Sequence, residues 1–335
     1  MEYEDMLPHY FGILKGKKKS RYLIAKELHV DISLSATTEE LWKVHKDAHE
    51  KMRRGETGGK GVSYLELKIE LAKRMAQSCR FCEWKCGVDR REKVGVCGVD
   101  IRPSVSSYFL HFGEEPVLIP SGTLFFRGCN FKCVYCQNWE ISRFPNGPRS
   151  NPEELAEIAM ELWRSGARNI NYVGGDPIPN IHAILESMRY QTANIPQLWN
   201  SNFYHTPDSL ELILDVIDIW LPDFKYGNNE CGMIYSKIPR YFDVVARNHV
   251  ILSKYKEDTI IRHLVLPGHV ECCTYPVLEW IAKNFPTAVV NVMAQYHPDN
   301  IVSSKNYPEI NRRPSGEEMR KAYNKAKQLN LVLCL

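Results

Sequence analysis

The stretch TLFFRGCNFKCVYCQN (residues 123–138) joins an apolar, aromatic run to three closely spaced cysteines, Cys129, Cys133 and Cys136. The run reads as a strand. A CxxxCxxC arrangement on the loop that follows lets three thiolates turn in on one inorganic centre, and soft thiolates select zinc, copper or iron–sulfur clusters. No fourth Cys or His follows before Arg143, whereas a structural zinc site closes with four ligands. A cube of four irons held by three cysteines would leave one iron open to another ligand. A zinc site completed by a remote residue is the competing reading.

Downstream of this loop the pattern is strand, loop, helix, repeated. NPEELAEIAMELWRSG reads as a helix with Pro152 early and Gly166 at its stop. NINYVGG, QLWNSN, IDIWLPDFK, TIIRHLVLPG and AVVNVMAQY read as strands, and LVLCL as a closing one. Helices are expected near Ile181–Arg189, near Tyr241–Asn248, over VLEWIAKNF and over EEMRKAYNKAKQ. Such alternation predicts an α/β protein with a parallel sheet and right-handed crossovers. Six or more units suggest a partial TIM-type (β/α) barrel, with the polar residues that end its strands gathered at one face.

Upstream, residues 1–78 read as a helical extension, 79–120 as a cysteine-rich metal-binding segment, and 121–335 as the barrel domain. Thr37 with Glu40 has capping-box spacing for a helix to about Arg54, and Ser63 with Glu66 repeats the signal before LELKIELAKRMAQ. LELKIEL also alternates as a strand would. KGKKKSR (15–21) reads as a basic loop.

The composition of the 335 residues, 44% hydrophobic and 25% charged, excludes disordered, collagen-like and coiled-coil classes. Forty-three Lys+Arg against 40 Asp+Glu is too balanced to argue for a nucleic-acid or membrane surface. The longest candidate span, Ile213 to Leu221, contains Asp215 and Asp218. MEYEDMLPHY lacks the order of a signal peptide, so a cytoplasmic location is expected. There, 11 cysteines point to metal or redox chemistry rather than disulfides.

Cys129-x3-Cys133-x-Tyr135-Cys136 resembles the signature of the radical S-adenosylmethionine (radical SAM) superfamily. The resemblance implies a [4Fe–4S] cluster on these three cysteines, whose open iron chelates S-adenosylmethionine. It implies reductive cleavage to methionine and a 5′-deoxyadenosyl radical, which takes a hydrogen atom from the substrate, in an oxygen-sensitive, anaerobic enzyme. Val173-Gly174-Gly175-Asp176-Pro177 stands where the family usually has Gly-Gly-Glu-Pro, and Asp176 is one methylene shorter. Asp223-x-Lys225 and Arg262-x4-Pro267-Gly268 resemble the branch that activates glycyl-radical enzymes, including pyruvate formate-lyase, over roughly residues 79 to 300. By that resemblance Tyr135, Gly174, Gly175, Asp176, Asn200, Asp223, Lys225 and Arg262 contact the cofactor. The implied partners are a glycyl-radical protein and an electron donor such as flavodoxin or ferredoxin; no nucleic acid is expected.

Cys79-x2-Cys82-x3-Cys86-x10-Cys97 forms a second set of candidate metal ligands, fitting zinc or an auxiliary [4Fe–4S] cluster. Its role is either a structural tie or an electron relay. Cys272 and Cys273 read as buried thiols at the start of a helix, with Cys231 or Cys272 as a minor candidate hydrogen-atom donor. His263, His269 and His297 lack metal-ligand spacing. Two other functions stay open: a radical SAM enzyme modifying a small metabolite or peptide, and an iron–sulfur or zinc protein of electron transfer or interaction without radical chemistry.

Overall fold

The computed structural model describes residues 3–334; Met1, Glu2 and Leu335, at the ends of the acidic N-terminal stretch and of LVLCL, lie outside the described residues. Seven parallel strands follow one another in space in chain order: Ser121–Phe126, Ile170–Gly174, Gln197–Ser201, Ile219–Pro222, Ile260–Leu264, Val289–Met293 and Val332–Leu333. The seam between the fourth and fifth narrows to bridges pairing Trp220 with Thr259 and Asp223 with Arg262. Helices cross over between these strands, and no ladder closes the ring among the described residues. The fold is a partial (β/α) barrel. Its helix starts are set locally: Asn151 and Ser315 form full capping boxes with Glu154 and Glu318 at the starts of Pro152–Arg164 and Gly316–Gln328.

Four elements have no individual counterpart in the pattern-based expectation. Val105–His111 pairs antiparallel with Ser121–Phe126 as an outer strand. It hides because Tyr108 and Phe109, neighbours that should face opposite sides, are both exposed, so no apolar alternation remains. The helix Asn229–Ser236 carries Gly232 in its middle, where a Cβ would lie 2.3 Å from the Cβ of Tyr241. Close packing selects glycine there against helix propensity. Two short helices, Pro8–Leu14 and Arg21–Glu27, flank the basic loop.

LELKIEL is helical, within Tyr64–Gln77. Its strand-like alternation arises because the helix is buried nearly all round, between Thr38–Arg53 and the barrel helices Ile181–Met188 and Pro207–Leu214. One continuous apolar core runs from Tyr22 through this helix into the barrel. Asp215, at the end of Pro207–Leu214, anchors the extension. It accepts from the Tyr64 hydroxyl at 2.8 Å and lies 2.9 Å from His49 Nδ1 and 3.4 Å from the buried Lys68 Nζ. A buried charge is stable only when so paired. No helix among the described residues is long and apolar enough to cross a membrane.

Four histidines packed into this core make the fold acid-labile. Burial holds His182 and His205 down at about 3, and His249 and His263 at about 4. Each stays neutral in the folded chain while its unfolded form protonates below pH ~6.5. Stability is therefore lost as pH falls, by ~1.4 kcal/mol per pH unit for each histidine. The urea midpoint should drop between about pH 7 and about pH 5, and His249→Gln should flatten that fall; equal midpoints at both values would contradict this account.

Candidate active site

The cysteine loop leaves the strand Ser121–Phe126 at its carboxyl end and is held from three directions. Gly128 N–H donates to the Ile141 carbonyl at 2.8 Å, Val134 N–H to that of Tyr235 at 2.8 Å, and Cys129 N–H to that of Cys97 at 3.2 Å. Arg143 and Asn300 both donate to the carbonyl of Cys133, at 3.2 and 3.0 Å. Cys129, Cys133 and Cys136 are unbridged and face one cavity of about 410 Å³. Cys133 Sγ lies 3.0 Å from Ser236 Oγ, and Phe131 N–H donates to Cys129 Sγ at 3.3 Å. Burial pushes the Cys129 thiol well up and the Cys133 thiol up to about 11, with neighbouring thiols adding to the rise. Loading a metal must therefore displace protons.

All eight residues expected to contact the cofactor line this same cavity, and the geometry changes how several of them act. Gly174 and Gly175 serve the backbone of the loop itself. A Cβ on Gly175 would sit 2.1 Å from the Gly128 carbonyl oxygen, and one on Gly174, at φ +124°, would sit 2.2 Å from Phe126 N and O. Asp176 is committed on both oxygens, accepting from Ile178 N–H at 2.9 Å and Asn202 N–H at 2.8 Å. Burial lifts its carboxyl to about 7 despite those donors. Tyr135 turns its hydroxyl to that of Tyr226 at 2.5 Å, which in turn lies 2.7 Å from Ser236 Oγ.

Asp223 and Lys225 form an ion pair in the cavity wall. Burial alone would lower the lysine, but Asp223 and then Cys133 hold its ammonium above the usual range. Arg262 donates to Asn200 Oδ1 at 3.2 Å and to Glu114 Oε2 at 3.2 Å, and its Nε lies 3.0 Å from Glu115 Oε1. His111, 3.5 Å from Glu114, is drawn upward in pKa by that carboxylate. His111 ends the outer strand that the pattern did not predict, Glu114 and Glu115 follow it, and Ser236 ends the helix that it missed. The one sequence signal was the acidic pair itself, in a loop between two apolar runs.

The donor set fits the group that the sequence implied. Three soft thiols, apolar walls from Phe125, Val173, Leu264 and Met293, and separated carboxylate and cationic groups suit a cluster beside a zwitterionic ligand.

The upstream cysteines lie directly behind the loop. Gly95 leaves room for Cys86 and Cys97: a Cβ there would be 3.2 and 3.5 Å from their sulfurs. The buried Arg90 guanidinium lies 3.8 Å from Cys79 Sγ. Asn130 lies against the Cys82 thiol, accepts from Asn202 at 2.6 Å, and receives the Trp84 indole N–H on its carbonyl at 2.8 Å. Elsewhere Cys273 is buried, but Cys272 is exposed, against the expectation for this pair, because it sits on the outer side of the π-helical turn Val270–Thr274. His269 also stands beside Cys231 and Cys272, which its sequence spacing did not suggest.

Comparison with known proteins follows the same lines. A model of the radical SAM superfamily matches residues 123–281. The chain is 42% identical to the uncharacterized protein MJ0674 of Methanocaldococcus jannaschii over 98% of both chains. Among solved structures it is similar to a domain of pyruvate-formate lyase-activating enzyme from Bacteroides vulgatus, at 13% identity and a TM-score of 0.35, over 54% of this chain and 89% of that one. It is also similar to SuiB of Streptococcus suis bound to S-adenosylmethionine, at 12% identity and a TM-score of 0.44, over 61% of this chain and 47% of that one. Residues 123–281 thus form a radical SAM domain, and the chemistry of that superfamily rests on a [4Fe–4S] cluster and S-adenosylmethionine.

Proposed function

We propose that Cys129, Cys133 and Cys136 hold the cluster, that the cavity beside them binds S-adenosylmethionine, and that the hydrogen atom is taken from a glycine of a protein partner. When bound, the cofactors supply reductive cleavage to methionine and a 5′-deoxyadenosyl radical. The chain's own groups bind and orient. Asp223 offers a carboxylate to the ammonium of the ligand, Lys225 and Arg262 offer cations to its carboxylate, and Asn200 fixes Arg262. The apolar walls exclude water from a reactive species.

One observation carries the choice of a protein partner. The cavity opens beside a second cleft with which it shares Phe125, Gln137 and Asn138, and next to it the outer strand and its loop expose Tyr108, Phe109 and Phe112. Such an aromatic rim at a mouth suits a macromolecule more than a metabolite. The test is anaerobic reconstitution with iron and sulfide, followed by reductant and S-adenosylmethionine. 5′-Deoxyadenosine is expected from the native chain and none from Cys133→Ala. With a glycyl-radical protein added, a backbone-glycine doublet should appear by electron paramagnetic resonance. Phe109→Ser with Phe112→Ser should lower that doublet ~tenfold while leaving uncoupled cleavage intact. Silence with every such partner, together with turnover of a metabolite, would select the small-molecule reading.

Cys79, Cys82, Cys86 and Cys97 are proposed to hold a second iron–sulfur centre that passes electrons from a flavodoxin- or ferredoxin-like donor. One observation supports this: the Cys97 carbonyl accepts directly from Cys129 N–H, so the upstream set lies against the triad's loop. Cys82→Ala with Cys86→Ala should remove about half of the iron and leave the triad's cluster signal; unchanged iron with loss of zinc would reverse the assignment.

A further inference from the structure

Outside the cavity and the upstream set, one further group of ligand atoms converges. The Cys231 and Cys272 sulfurs and one ring nitrogen of His269 lie within 4.8 Å of one another, the only such set of three among the described residues. The site is assembled from two distant segments. Cys231 sits in the first turn of Asn229–Ser236, and His269 and Cys272 belong to the π-helical turn after the strand Ile260–Leu264. Asn228 ties the two together. Its Oδ1 accepts from Cys231 N–H at 2.8 Å and its Nδ2 donates to the Cys272 carbonyl at 3.0 Å. Gly227 allows the close approach, since a Cβ there would lie 2.8 Å from the Cys272 carbonyl oxygen.

The histidine is already oriented as a ligand. Its Nδ1 lies 2.7 Å from the Pro267 carbonyl, which can only accept, so Nδ1 carries the proton and Nε2 keeps its lone pair. A backbone carbonyl on the second ring nitrogen is the usual support of a metal-bound imidazole. Nε2 now faces the Tyr235 hydroxyl at 2.9 Å, and if a metal takes up that nitrogen the hydroxyl is free to donate to Glu309, 2.9 Å away. Cys273, whose sulfur is 3.9 Å from that of Cys272, is the nearest further donor.

We propose that Cys231, His269 and Cys272 bind a single zinc ion. Two thiolates and an imidazole at this separation suit a tetrahedral d¹⁰ ion, and the set is too compact for a four-iron cube. Its effect is mechanical. It clamps the start of Asn229–Ser236 to the turn after Ile260–Leu264, and the other end of that helix carries Ser236, the neighbour of Cys133.

The test does not depend on what the triad binds. The full chain, purified anaerobically, should carry one zinc per chain by elemental analysis. Cys231→Ser and His269→Ala should each lower zinc at least ~fivefold, while Cys82→Ala with Cys86→Ala leaves it unchanged. His269→Cys should restore it, which separates ligand loss from misfolding. The cobalt-loaded chain should show a thiolate charge-transfer band that Cys231→Ser removes. Zinc equal in the native chain and in His269→Ala, or a native mass two hydrogens short from a Cys231 disulfide, would overturn the proposal.

Discussion

Gly175→Ala is expected to lose the triad's iron while leaving the rest of the fold standing. The added methyl would sit 2.1 Å from the Gly128 carbonyl oxygen and 2.7 Å from its carbon. Neither atom can swing away as a side chain would, because both belong to the residue that precedes Cys129. The loop must shift, and with it the sulfur that faces the cavity. Inserting atoms against fixed neighbours costs ~1–3 kcal/mol, but a displacement of even ~1 Å in the first thiolate costs more in metal affinity than in stability. Iron content after reconstitution should fall at least ~tenfold, with only a moderate drop in the midpoint of thermal unfolding. Gly174→Ala should fare worse: its positive φ and its double clash with Phe126 require two paired strands to part. Gly316→Ala, where nothing lies within 4 Å, supplies the neutral control. A Gly175→Ala chain with full iron would show that the loop is not positioned from this strand.

Those two glycines also show where sequence reasoning stops. Their identity and their place at a strand end were legible, because a glycine pair after an apolar run punctuates the chain. What they accommodate was not. The resemblance implied contact with the cofactor, and the structure adds a close approach of one strand end to the neighbouring cysteine loop. The parallel order of the strands was legible for a related reason. Capping residues such as Asn151 and Ser315, and the alternation of strand and helix, are local signals. Pairings between segments distant in sequence leave no such mark. Glu114 and Glu115 lie in an ordinary-looking loop until Arg262, some 148 residues on, reaches them. His269 and Cys231 acquire ligand geometry only through the fold. Ser236 sits beside Cys133 because Gly232 lets its helix pack on Tyr241.

Arg262 separates the inherited role from the observed one most sharply. If it serves only to meet S-adenosylmethionine, Arg262→Met should weaken binding of that ligand and leave the ligand-free chain as stable as before. Its surroundings argue for a second duty. Glu114 and Glu115 are both buried against it, and Glu115 Oε2 has no hydrogen-bond partner. Burial works to raise the Glu114 carboxyl, yet Arg262 first and His111 second hold it below the usual range. Removing the guanidinium leaves two carboxylates desolvated and adjacent, a loss of ~3–5 kcal/mol for a broken buried ion pair. The ligand-free Arg262→Met chain should therefore unfold at a much lower urea concentration than the native one. Without the cation, burial pushes the Glu114 carboxyl up, so the deficit should shrink as pH falls towards about 5, the opposite direction to the histidine-driven loss. Glu114→Gln with Glu115→Gln in the same chain should recover most of the stability and none of the ligand affinity. That division of effects would identify Arg262 as the residue through which the outer strand's loop is fastened to the floor of the cavity.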